Sequence, residues 1–174
     1  MAGRDRGHPG LRLTAALAAL VVVVDQVSKF WAVSALTGRP PIAVAGDLIR
    51  LRLTYNPGAA FSLAAGATWL LTLFTAAAAI AVGVVALRAR SRAWTVTLGL
   101  LLGGAVTHLL DRLFRAPGPG RGHVVDFIDY FGLFIGNVAD IALVVGAALA
   151  VLLNLRGVAL TGGTDVPRTE PAAG

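Results

Sequence analysis

Apolar residues in this chain come in long runs rather than in narrow stripes. A membrane-crossing helix takes about 20 apolar residues at 1.5 Å of rise each. Four runs meet that length, over residues 11–36, 64–87, 93–110 and 131–155. The first is broken by Asp25 and Lys29, the second carries no charge, and the fourth contains Asp140. The pattern predicts an all-α membrane protein with four transmembrane helices. The first run follows Arg4, Arg6 and Arg12 as a signal peptide would, but Asp25-Gln26 makes a poor cleavage region and apolar sequence resumes at Phe30. It is therefore expected to be a helix of the mature protein.

Between the first two runs the period changes. In "LIRLRLTYN", Leu51, Leu53 and Tyr55 alternate with Arg50, Arg52 and Thr54, which predicts a half-buried strand. "NPG" at Asn56 to Gly58 is turn chemistry that closes it. A small exterior β-sheet between helices 1 and 2 is expected, lying on the membrane surface. "RAPGPGRG", before His123, reads as loop, and "GVALTGGTDVPRTEPAAG" after Arg156 as a disordered tail. One integral membrane domain over residues 1–157 and a tail over 158–174 complete the organisation.

Composition sharpens this picture in two places. There is no cysteine, so thiolate chemistry, disulfides and cysteine-ligated metals are excluded. The net charge of +6 rests on fourteen arginines and one lysine. These punctuate the apolar runs instead of forming one basic stripe, which points to membrane lipids as partners and away from nucleic acid. Arg88, Arg90 and Arg92 crowd the short loop "RARSR" between runs two and three. Such a loop is expected on the cytoplasmic side, with both termini.

On that topology, Asp25, Asp111 and Asp140 each lie roughly 20 to 30 Å up their helices from the cytoplasmic ends. Asp126, Asn56 and Ser62 occupy loops on the same exterior side, so several pieces of chain deliver polar groups to one layer. Asp25 and Lys29, spaced i,i+4, also suit a plain ion pair. Asp111-Arg112 suits an interfacial salt bridge, and Asp129 simple solvation. An aspartate inside a span, such as Asp140, is costly enough to mark function. Asn137, three residues earlier, shares its direction. Two carboxylates in a low-dielectric site tend to share one proton, which equips them for peptide hydrolysis without a metal or a covalent intermediate. His108, three residues before Asp111, is expected on the same face.

These residues fall in five ordered motifs: "DQVSK" (Asp25 to Lys29), "NPGAAFSL" (Asn56 to Leu63), "GGAVTHLLDR" (Gly103 to Arg112), "GHVVDF" (Gly122 to Phe127) and "NVAD" (Asn137 to Asp140). From about Asp25 to Ala148 the chain resembles lipoprotein signal peptidase (signal peptidase II), the bacterial aspartyl protease of the plasma membrane. The resemblance implies that Asp126 and Asp140 are the catalytic dyad. It implies a diacylglyceryl-modified prolipoprotein as substrate, cleaved N-terminal to the lipidated cysteine. It also implies that Asp25, Lys29, Asn56, Gly58, Gly104, His108, Asp111, Arg112, Asn137 and Ala139 bind substrate or support the site. No metal or cofactor is expected, and a monomer is. Two departures stand out: Thr107-His108 where the family usually reads Gly-Asn, and Gly136 where it usually reads phenylalanine. Both bear on substrate fit and inhibitor response. The alternatives are a proton-coupled transporter, a structural membrane subunit and a catalytically altered paralogue.

Overall fold

A computed structural model describes residues 9–58 and 68–162. Ser62 and the rest of residues 59–67 lie outside the described residues, as do both chain ends. The apolar runs become α1 (Pro9–Leu36), α2 (Thr68–Ala86), α3 (Arg92–Phe114) and α4 (Val138–Leu155). All four are long and apolar enough to cross a membrane. Their packing inverts that of a soluble domain. Phe30, Phe74, Ile80, Val144 and Leu155 face outward, while Thr14, Asp25, Lys29, Thr95, Thr97, Thr107, Asp111 and Asn137 are inside. Lipid as the surrounding solvent accounts for both halves of this inversion.

Helix α3 is the centre of the bundle and packs against α1, α4 and α2. Two adjacent glycines let different helices approach it. A Cβ on Gly103 would lie 2.6 Å from Val21 Cβ, on α1. One on Gly104 would lie 2.6 Å from Leu143 Cγ and 3.1 Å from the Ala139 carbonyl, on α4. Where apolar burial drives no association, such close backbone contact is a main source of helix–helix attraction.

The expected strand is β2 (Ile49–Asn56), but the sheet has more sources than the segment between α1 and α2. Its order is β1 (Ile42–Ala45), β2, β3 (Val124–Tyr130), β4 (Phe134–Gly136), all antiparallel. Half of it thus comes from the connection between α3 and α4. The sheet rests on the end of α1, where Ala32, Leu36 and Phe127 form a small core with Leu51, Leu53, Ile128 and Val138 around it.

Several expectations are corrected here. The fourth helix starts at Val138 rather than near residue 131, because residues 131–136 turn and pair as a hairpin. Asp140 therefore stands in the first turn of α4, and Asp126 on a strand rather than a loop. Asp129 is buried, not solvated, and accepts the Gly132 amide at 2.9 Å across the hairpin turn. Residues 158–162 are docked instead of disordered. Trp94 Nε1 donates to the Val158 carbonyl at 2.7 Å, and the Arg90 and Ser91 amides donate to that of Leu160. Leu160 packs beside Ala86, Ala89 and Leu98.

Candidate active site

The start of α4 organises the site. Asn137 is its N-cap, in extended conformation, with Oδ1 accepting the Asp140 amide at 3.1 Å. Asp140 Oδ2 accepts the Asn137 amide at 2.8 Å in return. This is a capping box, in which two orphan amides of the first turn are satisfied reciprocally. The box leaves Asn137 Nδ2 available, and it donates to Asp126 Oδ1 at 2.6 Å. One asparagine therefore locks a carboxylate on α4 and another on β3.

The second oxygen of Asp126 is held from β2. Asn56 Nδ2 donates to Asp126 Oδ2 at 2.9 Å, while its own Oδ1 accepts the Gly58 amide at 2.8 Å. Gly58 has φ +110°, and a Cβ there would come 2.1 Å from Leu71 Cδ1. The positive φ calls for glycine, and any larger residue would also have to displace the Leu71 side chain. Arg112 Nη1 donates to the carbonyls of Asn56 (3.1 Å) and Gly122 (2.9 Å), tying the ends of β2 and the α3–β3 loop together.

The two carboxylates live in different surroundings. Asp126 is 2% exposed, and burial pushes its pKa up to about 6. The Asp140 charge adds to the rise, while the hydrogen bonds of Asn56 and Asn137 and the charge of His108 restrain it. The Asp140 side chain is 27% exposed. It sits at a helix N-terminus, where the backbone dipole favours negative charge. Tyr130 is also raised, by burial and then by the Asp140 charge. An apolar groove of about 590 Å³ leads away from Asp140 along α4, walled by Tyr130, Phe134, Leu143 and Val144.

Behind the pair lies a buried ionic hub. Lys29 Nζ is 2.6 Å from Asp25 Oδ2 and 2.7 Å from Asp111 Oδ2, with all three side chains fully buried. These two short carboxylate contacts compensate the buried ammonium. Asp25 Oδ1 accepts the Ala139 amide at 2.9 Å and Oδ2 the Thr107 hydroxyl at 2.6 Å. Asp111 Oδ1 accepts from Arg115 Nε (2.7 Å) and Gln26 Nε2 (2.9 Å), and Oδ2 from the Val125 amide (3.4 Å). The hub thus grips α4 beside Asp140 and β3 beside Asp126.

With this geometry in place, kinship can be assigned. The family described as "Signal peptidase (SPase) II" matches residues 17–156. This chain belongs to the signal peptidase II family. It is 44% identical over 156 residues to the lipoprotein signal peptidase of Mycobacterium avium (strain 104), covering 90% of this chain and 86% of that one. It is 45% identical over 150 residues to that of Rhodococcus jostii (strain RHA1), covering 86% and 76%. A bacterial membrane enzyme solved in meso at 1.9 Å superposes with a TM-score of 0.71 and 25% identity, over 82% of this chain and 92% of that chain. This signal peptidase II family member is accordingly a multi-pass membrane protein of a peptidase family.

The signal peptidase II motifs converge unevenly. Asp126, Asp140, Asn137, Asn56 and His108 meet directly. Asp25, Lys29, Asp111 and the Ala139 amide form the hub, Arg112 and Gly58 shape the Asn56 corner, and Gly104 permits the α3–α4 contact. His108 does not share the partners of Asp111. Its Nε2 lies 3.1 Å from Asp140 Oδ1, on the α4 side, whereas Asp111 faces α1 together with Thr107. Gln26, Arg115, Tyr130 and Phe134 were not singled out from sequence. Gln26 and Arg115 had a signal, since Arg115 follows Asp111 by four residues and Gln26 adjoins Asp25.

Proposed function

We propose that this protein is an aspartic endopeptidase of the membrane that removes the signal peptide of diacylglyceryl-modified prolipoproteins, cutting N-terminal to the lipidated cysteine. The observation that carries the reading is Asn137 locking Asp126 and Asp140 together at the head of an apolar groove. The relatives named lipoprotein signal peptidase support the substrate.

The chemistry follows from the unequal carboxylates. The pair holds one proton, on the buried Asp126, while Asp140 is ionised. Asp140 takes a proton from water as the hydroxide oxygen bonds to the scissile carbonyl carbon, and Asp126 gives its proton to the carbonyl oxygen. The tetrahedral diol then collapses. One hydroxyl proton returns to Asp126, the proton on Asp140 passes to the departing nitrogen, and the C–N bond breaks. The products are a new carboxyl terminus and the free amine of the lipidated cysteine, and the pair again holds one proton. No step needs a metal or covalent intermediate.

The groove along α4 suits the apolar part of the substrate, and a lipid-held cysteine brings the scissile bond to headgroup level. The arginine-rich turn between α2 and α3 lies at the opposite ends of the helices from the carboxylates. That supports a cytoplasmic RARSR loop and a site at the exterior leaflet of the bacterial plasma membrane. The test is purified protein with a diacylglyceryl-modified prolipoprotein. Wild type should release the signal peptide, and Asp126→Asn and Asp140→Asn should each release none while still unfolding cooperatively as folded proteins. Substantial cleavage by either variant would refute the dyad.

A further inference from the structure

Around Asp140 one contact is not part of the capping box. Its Oδ2 is taken by the Asn137 amide, and its Oδ1 faces His108 Nε2 at 3.1 Å. The imidazole reaches this position because α3 and α4 nearly touch one turn away, at Gly104. His108 is largely but not fully buried, with 16% of its side chain exposed. The ionisable groups that interact with it are Asp140 on α4 and Asp126 on β3; Tyr130 interacts with Asp140 and Arg112, one turn further along α3, with Asp126. Among the described residues α2 carries no charged side chain, and the Asp25 and Lys29 of α1 are engaged on the opposite face of α3.

We infer that His108 is a positioning residue that fixes the division of labour within the carboxylate pair: donating from Nε2 to Asp140 Oδ1, it holds Asp140 as the oriented, ionised base and leaves the shared proton on Asp126. The inference rests on the reading of Asp126 and Asp140 as the catalytic dyad. Three independent features point the same way. A donor aimed at Oδ1 stabilises the charged form of Asp140 and not the neutral one. The N-terminus of α4 favours the same charge. The two asparagine donors on Asp126 orient it, but its burial still favours the protonated form. With Oδ2 tied to the backbone, Oδ1 is the atom left to meet the attacking water, so its direction matters for the reaction. A positive charge on this ring favours the ionised form of Asp126, an effect that an amide donor in the same place would not have.

The test compares wild type with His108→Leu and His108→Gln, each as the full chain in lipid-containing micelles with a diacylglyceryl-modified prolipopeptide. Glutamine places an amide near the Nε2 position without a titrating ring. His108→Leu should lower kcat by about 10- to 100-fold, the worth of a hydrogen bond to a charged group, with KM changed far less. His108→Gln should recover most of that loss. In both variants the basic limb of the kcat/KM profile should move to higher pH, because a positive charge that eases Asp126 ionisation is gone. Superimposed profiles with unchanged kcat would reduce His108 to a packing residue. A folded His108→Gln protein as inactive as His108→Leu would make the ring itself the proton acceptor and overturn the positioning role. Unfolding midpoints separate either result from misfolding. Should Asp126→Asn or Asp140→Asn retain cleavage, the dyad reading fails and this one with it. If both are inactive while the His108 variants match wild type, this inference alone fails.

Discussion

Replacing Lys29 by methionine removes the cation between Asp25 and Asp111 while keeping most of the apolar stem. The hub of Asp25, Lys29, Asp111 and Arg115 is formally neutral; without Lys29 it carries one uncompensated negative charge inside the bundle. Asp111 keeps the Arg115 guanidinium at 2.7 Å, but Asp25 keeps only neutral donors, the Thr107 hydroxyl and the Ala139 amide. Removing one partner of a buried pair costs about 3–5 kcal/mol, since the surviving charge stays desolvated. Lys29→Met should therefore lose about that much stability against unfolding in mixed micelles, followed by tryptophan fluorescence, with Trp31 packed edge-on to Phe127 as a local reporter. Lys29→Met combined with Asp25→Asn restores neutrality and should recover more than half of the loss, giving a strongly non-additive cycle. Cleavage should fall with Lys29→Met alone, because Ala139 and Val125, the neighbours of the proposed dyad of Asp140 and Asp126, hang on the hub. Simple additivity, or a Lys29→Met protein as stable as wild type, would refute the account of the hub as a charge-balanced clamp.

Other consequences can be checked as directly. The raised pKa of Asp126 means that native-state stability from its protonated form is fully present below about pH 4 and is lost as pH rises through about 6. Wild type should thus lose roughly 3 kcal/mol relative to Asp126→Asn between pH 4 and pH 8, read from unfolding curves, and wild-type kcat/KM should fall as the pair loses its shared proton above about pH 6. Gly136→Ala would put a Cβ 2.8 Å from Asp140 Oδ2 and 2.7 Å from the Phe134 ring; cleavage should drop on the order of 10-fold or more from the displaced carboxylate, whereas Asp129→Asn, which keeps an oxygen for the Gly132 amide, should stay active. Cysteines introduced at Ser91 and Gly118 should react with an impermeant thiol reagent in intact cells only at position 118, and labelling at 91 would invert the topology.

The helices and β2 were legible because their signals are local. Long apolar runs and strict alternation need no knowledge of neighbours. β3 was hidden for a physical reason: residues 124–127 are buried on both faces, so "VVDFIDY" has no alternation to read. The apolar hairpin residues after it merge with α4, and only Asn137 as a cap marks the boundary. Composition also misjudged Asp129 and residues 158–162, whose burial is supplied by distant partners. His108 shows the limit of spacing arguments. Residues three apart on a helix differ by about 60° in direction, enough for one to face α4 and the other α1 when both helices crowd α3. The motif order pointed to residues that the fold brings together; which carboxylate each would touch depended on the crossing of three helices.

The capping box has a further consequence, set by length. Helix α4 spans 18 residues, about 27 Å, close to the roughly 30 Å hydrocarbon slab it would cross. Its first turn also carries Asp140, so no spacer separates the lipid-fitting part of the helix from a carboxylate of the proposed dyad. A bilayer that is too thick or too thin must be met by tilting or stretching α4, at fractions of a kcal/mol per Å. Asn137 and Asp140 stand at the end of the helix that such an adjustment moves. Acyl-chain length thereby becomes a mechanical input to the proposed chemistry, with the helix acting as a ruler whose zero mark is the carboxylate pair.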